Sequence, residues 1–206
     1  MDSSELNIER YMIYEHVRMT AEANHAKNPY DADNLLKWAG ALVELAAFGG
    51  DMNETKRITK DAMVKMEEAL QINPAKHEAL FCLGNANTSV ALMTPDPKEA
   101  QIYIDRASLC FQKAVDENPG NEIYVKSLEA SAQTPQLHME LQKAGYGQQA
   151  LGGGPGGPFA TPNAKSSVKK ASSDLKYDIF GWIILAVGLV AWVEMAKFHV
   201  PSSPPR

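Results

Sequence analysis

Residues 62–74 read Ala-Met-Val-Lys-Met-Glu-Glu-Ala-Leu-Gln-Ile-Asn-Pro, and residues 107–119 read Ala-Ser-Leu-Cys-Phe-Gln-Lys-Ala-Val-Asp-Glu-Asn-Pro. The two stretches share alanines at two positions, end in Asn-Pro and lie 45 residues apart, and a third such pair, Asn28-Pro29, lies another 45 residues upstream. Proline has no amide hydrogen and disfavours helical geometry in the residue before it, so each pair should end a helix. Equal spacing of helix ends predicts a tandem helical repeat.

The apolar residues between the Asn-Pro pairs keep the same register in both units. In the first helix, Leu35, Trp38, Ala39, Leu42 and Leu45 align with Leu80, Leu83, Gly84, Asn87 and Val90, and in the second helix Ala62, Met66 and Ala69 align with Ala107, Phe111 and Ala114. Offsets of three and four place each group on one helix face. We therefore predict an all-α fold with two units of 45 residues, each made of two amphipathic helices.

This pattern resembles the tetratricopeptide repeat, but each unit exceeds the usual 34 residues by about 11. The extra residues fall at Ala47–Arg57 and Leu92–Ile102. Solenoid repeats need capping helices, and we predict one over residues 6–27 and another after Pro119 that continues past Pro135 to Lys143. The tetratricopeptide-like domain would then occupy residues 1–145. The alternative is an ordinary helical bundle with coincidental prolines.

The composition changes after residue 145. Residues 146–176 are rich in Gly, Pro, Ser and Lys, which predicts a flexible linker. A phosphate-binding loop is excluded because no Lys-Ser or Lys-Thr follows the glycines at the required spacing. The whole chain carries two cysteines and five scattered histidines without metal-ligand spacing. We therefore expect no catalytic residues, no metal site and no cofactor, and the protein should not be an enzyme.

Residues 177–198 contain the one long apolar stretch and predict a single transmembrane helix, followed by a short tail at residues 199–206. The alternative is a buried helix of the preceding domain. Because only 13 residues follow Val193, we expect a tail anchor. The lysines before the stretch favour a cytosolic amino-terminal domain. A short anchor with basic flanks fits the mitochondrial outer membrane better than the thicker plasma membrane, and this location would place the carboxyl terminus in the intermembrane space. The alternative location is the endoplasmic reticulum.

The charge is divided unevenly along the chain. Residues 1–145 carry 14 Lys and Arg against 22 Asp and Glu, whereas residues 146–206 carry 6 against 3. An acidic domain repels the phosphate backbone of nucleic acids, so we expect no nucleic-acid partner. It suits a basic ligand, although the acidity could serve solubility alone.

The first helix of each unit predicts a ligand-binding surface. Its positions away from the buried seam form what we call the candidate groove: Leu36, Gly40, Val43, Phe81, Asn85 and Thr88. A candidate acidic rim consists of Asp33, Glu44 and Glu78. An apolar groove with acidic edges suits an amphipathic helix with basic residues on its polar face, which is the composition of mitochondrial targeting peptides. The alternative is that Leu36 and Phe81 are core residues.

Together, the enlarged repeats, the Gly-Gly-Gly-Pro-Gly-Gly-Pro linker and the apolar carboxy-terminal stretch resemble the plant-type presequence receptor of the mitochondrial outer-membrane translocase. The resemblance covers the whole chain. It implies a non-catalytic import receptor that binds the presequences of cytosolic precursor proteins and passes them to the translocase channel. Its partners would be those precursors, other translocase subunits and the lipid bilayer. The alternative function is a tail-anchored adaptor for organelle division or chaperone docking.

Overall fold

The structure, a computed structural model, describes residues 3–144 of the chain. This part of the chain contains seven α-helices. They are α1 (Ser3–Lys27), α2 (Ala32–Ala46), α3 (Met52–Ile72), α4 (His77–Leu92), α5 (Pro97–Glu117), α6 (Glu122–Ser131) and α7 (Thr134–Lys143). Helix α2 packs against α3, and α4 packs against α5. Corresponding helices of these two hairpins begin 45 residues apart. The hairpins therefore match the predicted units, and their assignment to the tetratricopeptide class stays a prediction.

Aspartate side chains begin α3 and α5, and Asn-Pro pairs end these two helices. The Asp51 carboxylate accepts a hydrogen bond from the backbone amide three residues later, and Asp96 accepts one from the amide two residues later, both at 2.9 Å. Asn73 and Asn118 leave helical geometry with φ values of −132° and −143°. Each precedes a proline, which forces this change. The predicted helix ends are therefore confirmed.

The core lies along the seam between the paired helices, where the sequence register predicts it. Ala39, Ala62 and Val90 are fully buried, and Met66 is 1% exposed. The seam is narrow because its small residues allow the helices to approach closely. A Cβ atom on Gly84 would lie 2.6 Å from the aromatic ring of Phe111, so any larger residue at this crossing would force the ring to shift.

The flanking helices differ slightly from the prediction. Helix α1 begins at Ser3, and the predicted trailing helix is two helices, α6 and α7, separated at residues 132–133. Pro135 lies in the first turn of α7, where a missing amide hydrogen costs no helical bond. Helix α7 folds back onto α4 and α5. There the Nε2 atom of buried His138 donates a 2.7 Å hydrogen bond to the Thr94 carbonyl.

The predicted fold class requires one correction, which concerns the transmembrane helix. Within residues 3–144, no helix is both long and apolar enough to cross a bilayer. The longest of them, α1, carries seven Asp, Glu, Lys and Arg residues along its 25 positions, so burial in hydrocarbon is unfavourable. The fold class is therefore corrected to an all-helical arrangement for the described residues. The predicted span at 177–198, the linker at 146–176 and the tail at 199–206 lie outside them.

Candidate functional site

Three residues of the candidate groove form one shallow surface on α2. Leu36 and Val43 are half-buried, and their side chains pack onto the core cluster that contains Ala39 and Leu83. Gly40 lies one turn from each of them, and a Cβ atom built on it would meet nothing within 4 Å. The α2 side of the candidate groove is therefore an open, largely apolar surface with a glycine at its centre.

The α4 side of the candidate groove is mostly covered. Phe81 is 1% exposed and is held between the rings of Phe111 and Tyr124, at centroid distances of 5.9 and 4.7 Å. Thr88 is 8% exposed, and its hydroxyl donates a 3.0 Å hydrogen bond to a carbonyl one turn earlier in α4. Asn85 is half-buried. Phe81 and Thr88 are therefore buried, and Asn85 is the residue among these three that remains partly exposed.

Two residues of the acidic rim are paired with a lysine that sequence analysis did not single out. Lys76 Nζ donates a hydrogen bond to the Asp33 carboxylate and lies 3.9 Å from the Glu78 carboxylate. This bond from Lys76 is the main cause that holds the pKa of Asp33 below its ordinary value of 3.8. Lys76 lies two residues before Glu78 and 43 residues after Asp33. Because of this large separation, the contact between Lys76 and Asp33 cannot be predicted from a local sequence pattern.

Glu44, the third rim residue, faces α1. Its side chain is only 11% exposed and lies 3.3 Å from the Arg10 guanidinium. Burial raises the pKa of Tyr14, and the nearby Glu44 carboxylate raises it further. The Glu44 carboxylate therefore forms an ion pair that connects α2 to α1. The structure places the three predicted acids in two different environments.

The two cysteines belong to the packed interior of the hairpins. Cys82 and Cys110 are free thiols packed against the core cluster. Burial raises the pKa of Cys82 to about 12 and also raises that of Cys110. Neither thiol is activated as a nucleophile, because reactivity requires a lowered pKa. Across residues 3–144 no cluster of His, Cys, Asp and Glu could hold a metal ion.

Helical hairpins that expose a shallow apolar surface define the class of protein to which this chain belongs. Stacked helix pairs of this kind present surfaces on which segments of other proteins bind. A Cβ atom built on Gly40 would meet nothing within 4 Å, and Gly40 lies on a regular helix rather than on a loop. The fold and the site therefore indicate a protein-binding receptor or adaptor.

Comparison with known proteins distinguishes between these two possibilities. Residues 8–197 match the model of the family described as plant-specific mitochondrial import receptor subunit TOM20. Mitochondrial import receptor subunit TOM20-3 of Arabidopsis thaliana is 47% identical over 203 residues, which cover 98% of this chain and 99% of the relative. TOM20-2 of the same plant is 47% identical across all of both chains, and TOM20-4 is 43% identical across 95% of each.

The chain belongs to the plant-specific TOM20 family of mitochondrial import receptor subunits. It therefore acts as a protein import receptor, which is a non-enzymatic role. The predicted family and the absence of catalytic activity are confirmed by this membership. The alternative of an adaptor for organelle division or chaperone docking is not favoured.

Proposed function

We propose that the candidate groove binds the basic amphipathic presequences of precursor proteins in the cytosol and releases them to other subunits of the mitochondrial outer-membrane translocase. Leu36 and Val43 would contact the apolar face of the presequence helix, and the open space at Gly40 would receive one of its large side chains. Asn85 would bond to polar groups at the edge. The open space at Gly40 is the observation that carries this proposal.

The ion pairs of the acidic rim suggest that the apolar residues and the acids contribute differently to presequence binding. Because Lys76 already contacts Asp33 and Glu78, a presequence cation would have to exchange with an internal ammonium. Such an exchange yields little net free energy. Apolar contact would then supply most of the affinity, and the acids would mainly orient the approaching helix. The resulting complex is weak enough for transfer of the cargo.

The groove is tested by titrating the ¹⁵N-labelled full-length protein with a synthetic targeting peptide. We expect the Gly40 amide resonance to shift on binding. The variant Gly40→Leu places a large side chain in the open space and should weaken binding by about tenfold, which corresponds to about 1.4 kcal/mol. Gly120→Leu is the matched control, since Gly120 is also in open space but lies in the turn between α5 and α6.

Two outcomes would contradict the groove. Gly40→Leu could bind the peptide as well as the parent does, or Gly120→Leu could lose as much affinity.

Separately, we propose that the helical domain faces the cytosol. Protease treatment of intact mitochondria should then remove it, and full protection would overturn this orientation.

A further inference from the structure

The face of α5 that points away from the core carries a line of exposed side chains. The buried residues of α5 all lie on the opposite side of the helix, toward α4 and the seam of the second hairpin. Four exposed residues follow one another along the outer side at spacings of four, three and four: Ile102, Arg106, Leu109 and Lys113. Residues at these spacings are neighbours on a helix surface. We call these four residues the outer stripe.

The outer stripe combines accessible apolar area with unpaired positive charge. Ile102 is 53% exposed and Leu109 is 56% exposed. Within residues 3–144, neither Arg106 nor Lys113 takes part in a hydrogen bond or an ion pair. The stripe therefore presents apolar and basic side chains in alternation, and nothing in the described part of the chain covers them.

The acids nearest to the outer stripe are bonded to other side chains. The Asp105 carboxylate accepts a 2.8 Å hydrogen bond from Gln101. The Asp116 carboxylate likewise accepts one of 2.8 Å from Gln112. These bonds hold both carboxylates beside glutamines of α5 and away from the two cations.

The first unit shows how the equivalent place is satisfied there. Subtracting 45 from the residues of the outer stripe gives Arg57, Asp61, Val64 and Glu68 of α3. Arg57 donates a 3.0 Å hydrogen bond to Asp61, and Lys65 donates one of 2.8 Å to Glu68. In the first unit, the two acids of this line are therefore paired with cations of their own helix.

The second unit reverses the charges of this line and lacks their partners. Arg106 and Lys113 stand at the positions of the two acids. Ile102 and Cys110 stand at the positions of the two cations, so no charged side chain of α5 replaces the missing half of each pair. The outer stripe is thus one side of an ion-pair pattern whose other side must come from another molecule.

We propose that the outer stripe binds an acidic amphipathic helix of a partner protein. The carboxylates of that helix would pair with Arg106 and Lys113, and its apolar side chains would cover Ile102 and Leu109. Rows of side chains with the same spacing fit together when two helices pack. This surface lies on α5, whereas the candidate groove lies on α2 and α4, so the inference does not depend on presequence binding.

A single helix fits the outer stripe better than an anionic membrane surface does. Four exposed acids of α5 flank the stripe on its two sides: Glu99, Asp105, Asp116 and Glu117. A flat bilayer would bring its phosphate groups close to these acids as well as to the two cations. A helix is only about 10 Å wide and can contact the stripe alone. The charge pattern therefore favours a protein partner.

The test uses ¹⁵N-labelled full-length protein and a synthetic peptide of three Leu-Gln-Ala-Ala-Glu-Gln-Ala repeats, which places leucine and glutamate in one line at spacings of four and three. We expect this peptide to shift the amide resonances of Ile102, Arg106, Leu109 and Lys113. The same peptide with lysine in place of each glutamate should leave them unchanged. Equal shifts with both peptides, or none with the glutamate peptide, would overturn the proposal. Vesicles of phosphatidylcholine and phosphatidylglycerol provide the comparison with a membrane, and shifts with these vesicles alone would also overturn it.

The variant Lys113→Glu tests the charge of the outer stripe and introduces the residue that the first unit has at the equivalent position. It should weaken binding of the glutamate peptide by about tenfold. Lys126→Glu is the matched control, since Lys126 lies on α6 and its side chain is 67% exposed. It should retain the parent affinity, and equal weakening would reduce the effect to net charge and refute the site. If Lys113→Glu fails to fold, Arg106→Asp makes the same test.

The apolar part of the outer stripe is tested with Leu109→Ala. Removing most of this side chain should weaken binding of the glutamate peptide by about fivefold. Val64→Ala is the matched control, because Val64 occupies the equivalent position of α3 and is 49% exposed. Both variants should keep the helical circular dichroism of the parent, since both side chains are exposed. Unchanged affinity for Leu109→Ala, or an equal loss for Val64→Ala, would contradict docking on this stripe.

Discussion

Two helix glycines have opposite surroundings, and this difference decides what a methyl group would do at each. A Cβ atom on Gly40 meets nothing within 4 Å, whereas one on Gly84 would overlap the ring of Phe111. Phe111 is 3% exposed and cannot move aside without disturbing the core. Gly40 is therefore replaceable as far as the fold is concerned, and Gly84 is not.

We predict opposite changes in stability for Gly40→Ala and Gly84→Ala. The first should raise the free energy of unfolding by about 0.5–1 kcal/mol, because alanine restricts the unfolded chain more than glycine does. The second should lower it by about 1–3 kcal/mol through overpacking. Urea denaturation followed by circular dichroism measures both. Changes of the same sign would contradict the packing described for the seam.

The residues of the candidate groove show how far the sequence could predict the site. Register alone places Leu36 and Phe81 on the outer faces of their helices, and it cannot tell that one remains accessible and the other does not. The difference arises from Tyr124, which stacks on Phe81 from α6. That contact joins residues 43 positions apart, so no local pattern reveals it.

The capping residues of the second helices provide a test of one recurring element. Asp51 and Asp96 occupy equivalent positions 45 residues apart, and each accepts a backbone hydrogen bond at the start of its helix. We predict that Asp51→Ala and Asp96→Ala each lower the free energy of unfolding by about 1 kcal/mol. Asp105→Ala, at an exposed mid-helix position of α5, is the control and should cost less. Thermal or urea unfolding distinguishes these results.

Helix boundaries were the most predictable feature because they depend on neighbouring residues. Each Asn-Pro pair ends a helix through its own covalent geometry, so the sequence suffices. The separation of α6 from α7 was not predicted. The break is associated with the packing of α7 against α4 and α5, where His138 bonds to the Thr94 carbonyl. Such a tertiary contact cannot be inferred from periodicity.

The ion pair between Asp33 and Lys76 connects the two hairpins, and the stability of the whole domain should show its pH dependence. The pair lowers the pKa of Asp33 in the folded protein below 3.8. A lowered folded pKa means that the pair stabilises the fold at neutral pH. This contribution is lost as the pH falls through the folded pKa, below 3.8.

We predict that Asp33→Asn lowers the free energy of unfolding by about 0.2–1 kcal/mol at neutral pH, a small effect because the Asp33 side chain is 72% exposed. Well below pH 3.8, where Asp33 is protonated in the parent, the two proteins should be equally stable. Asp116→Asn is the control, since Asp116 accepts a hydrogen bond from the uncharged Gln112. A difference between Asp33→Asn and the parent that persists in acid would refute the pairing.

The constant spacing of the helix boundaries makes the domain divisible. Deleting residues 29–73 would join Asn28 to Pro74 and so recreate an Asn-Pro junction, with α1 leading directly into α4. Every remaining helix would keep its own start and end. We therefore expect that the number of hairpins in the domain can be changed by excision or duplication of 45 residues without designing a new connection.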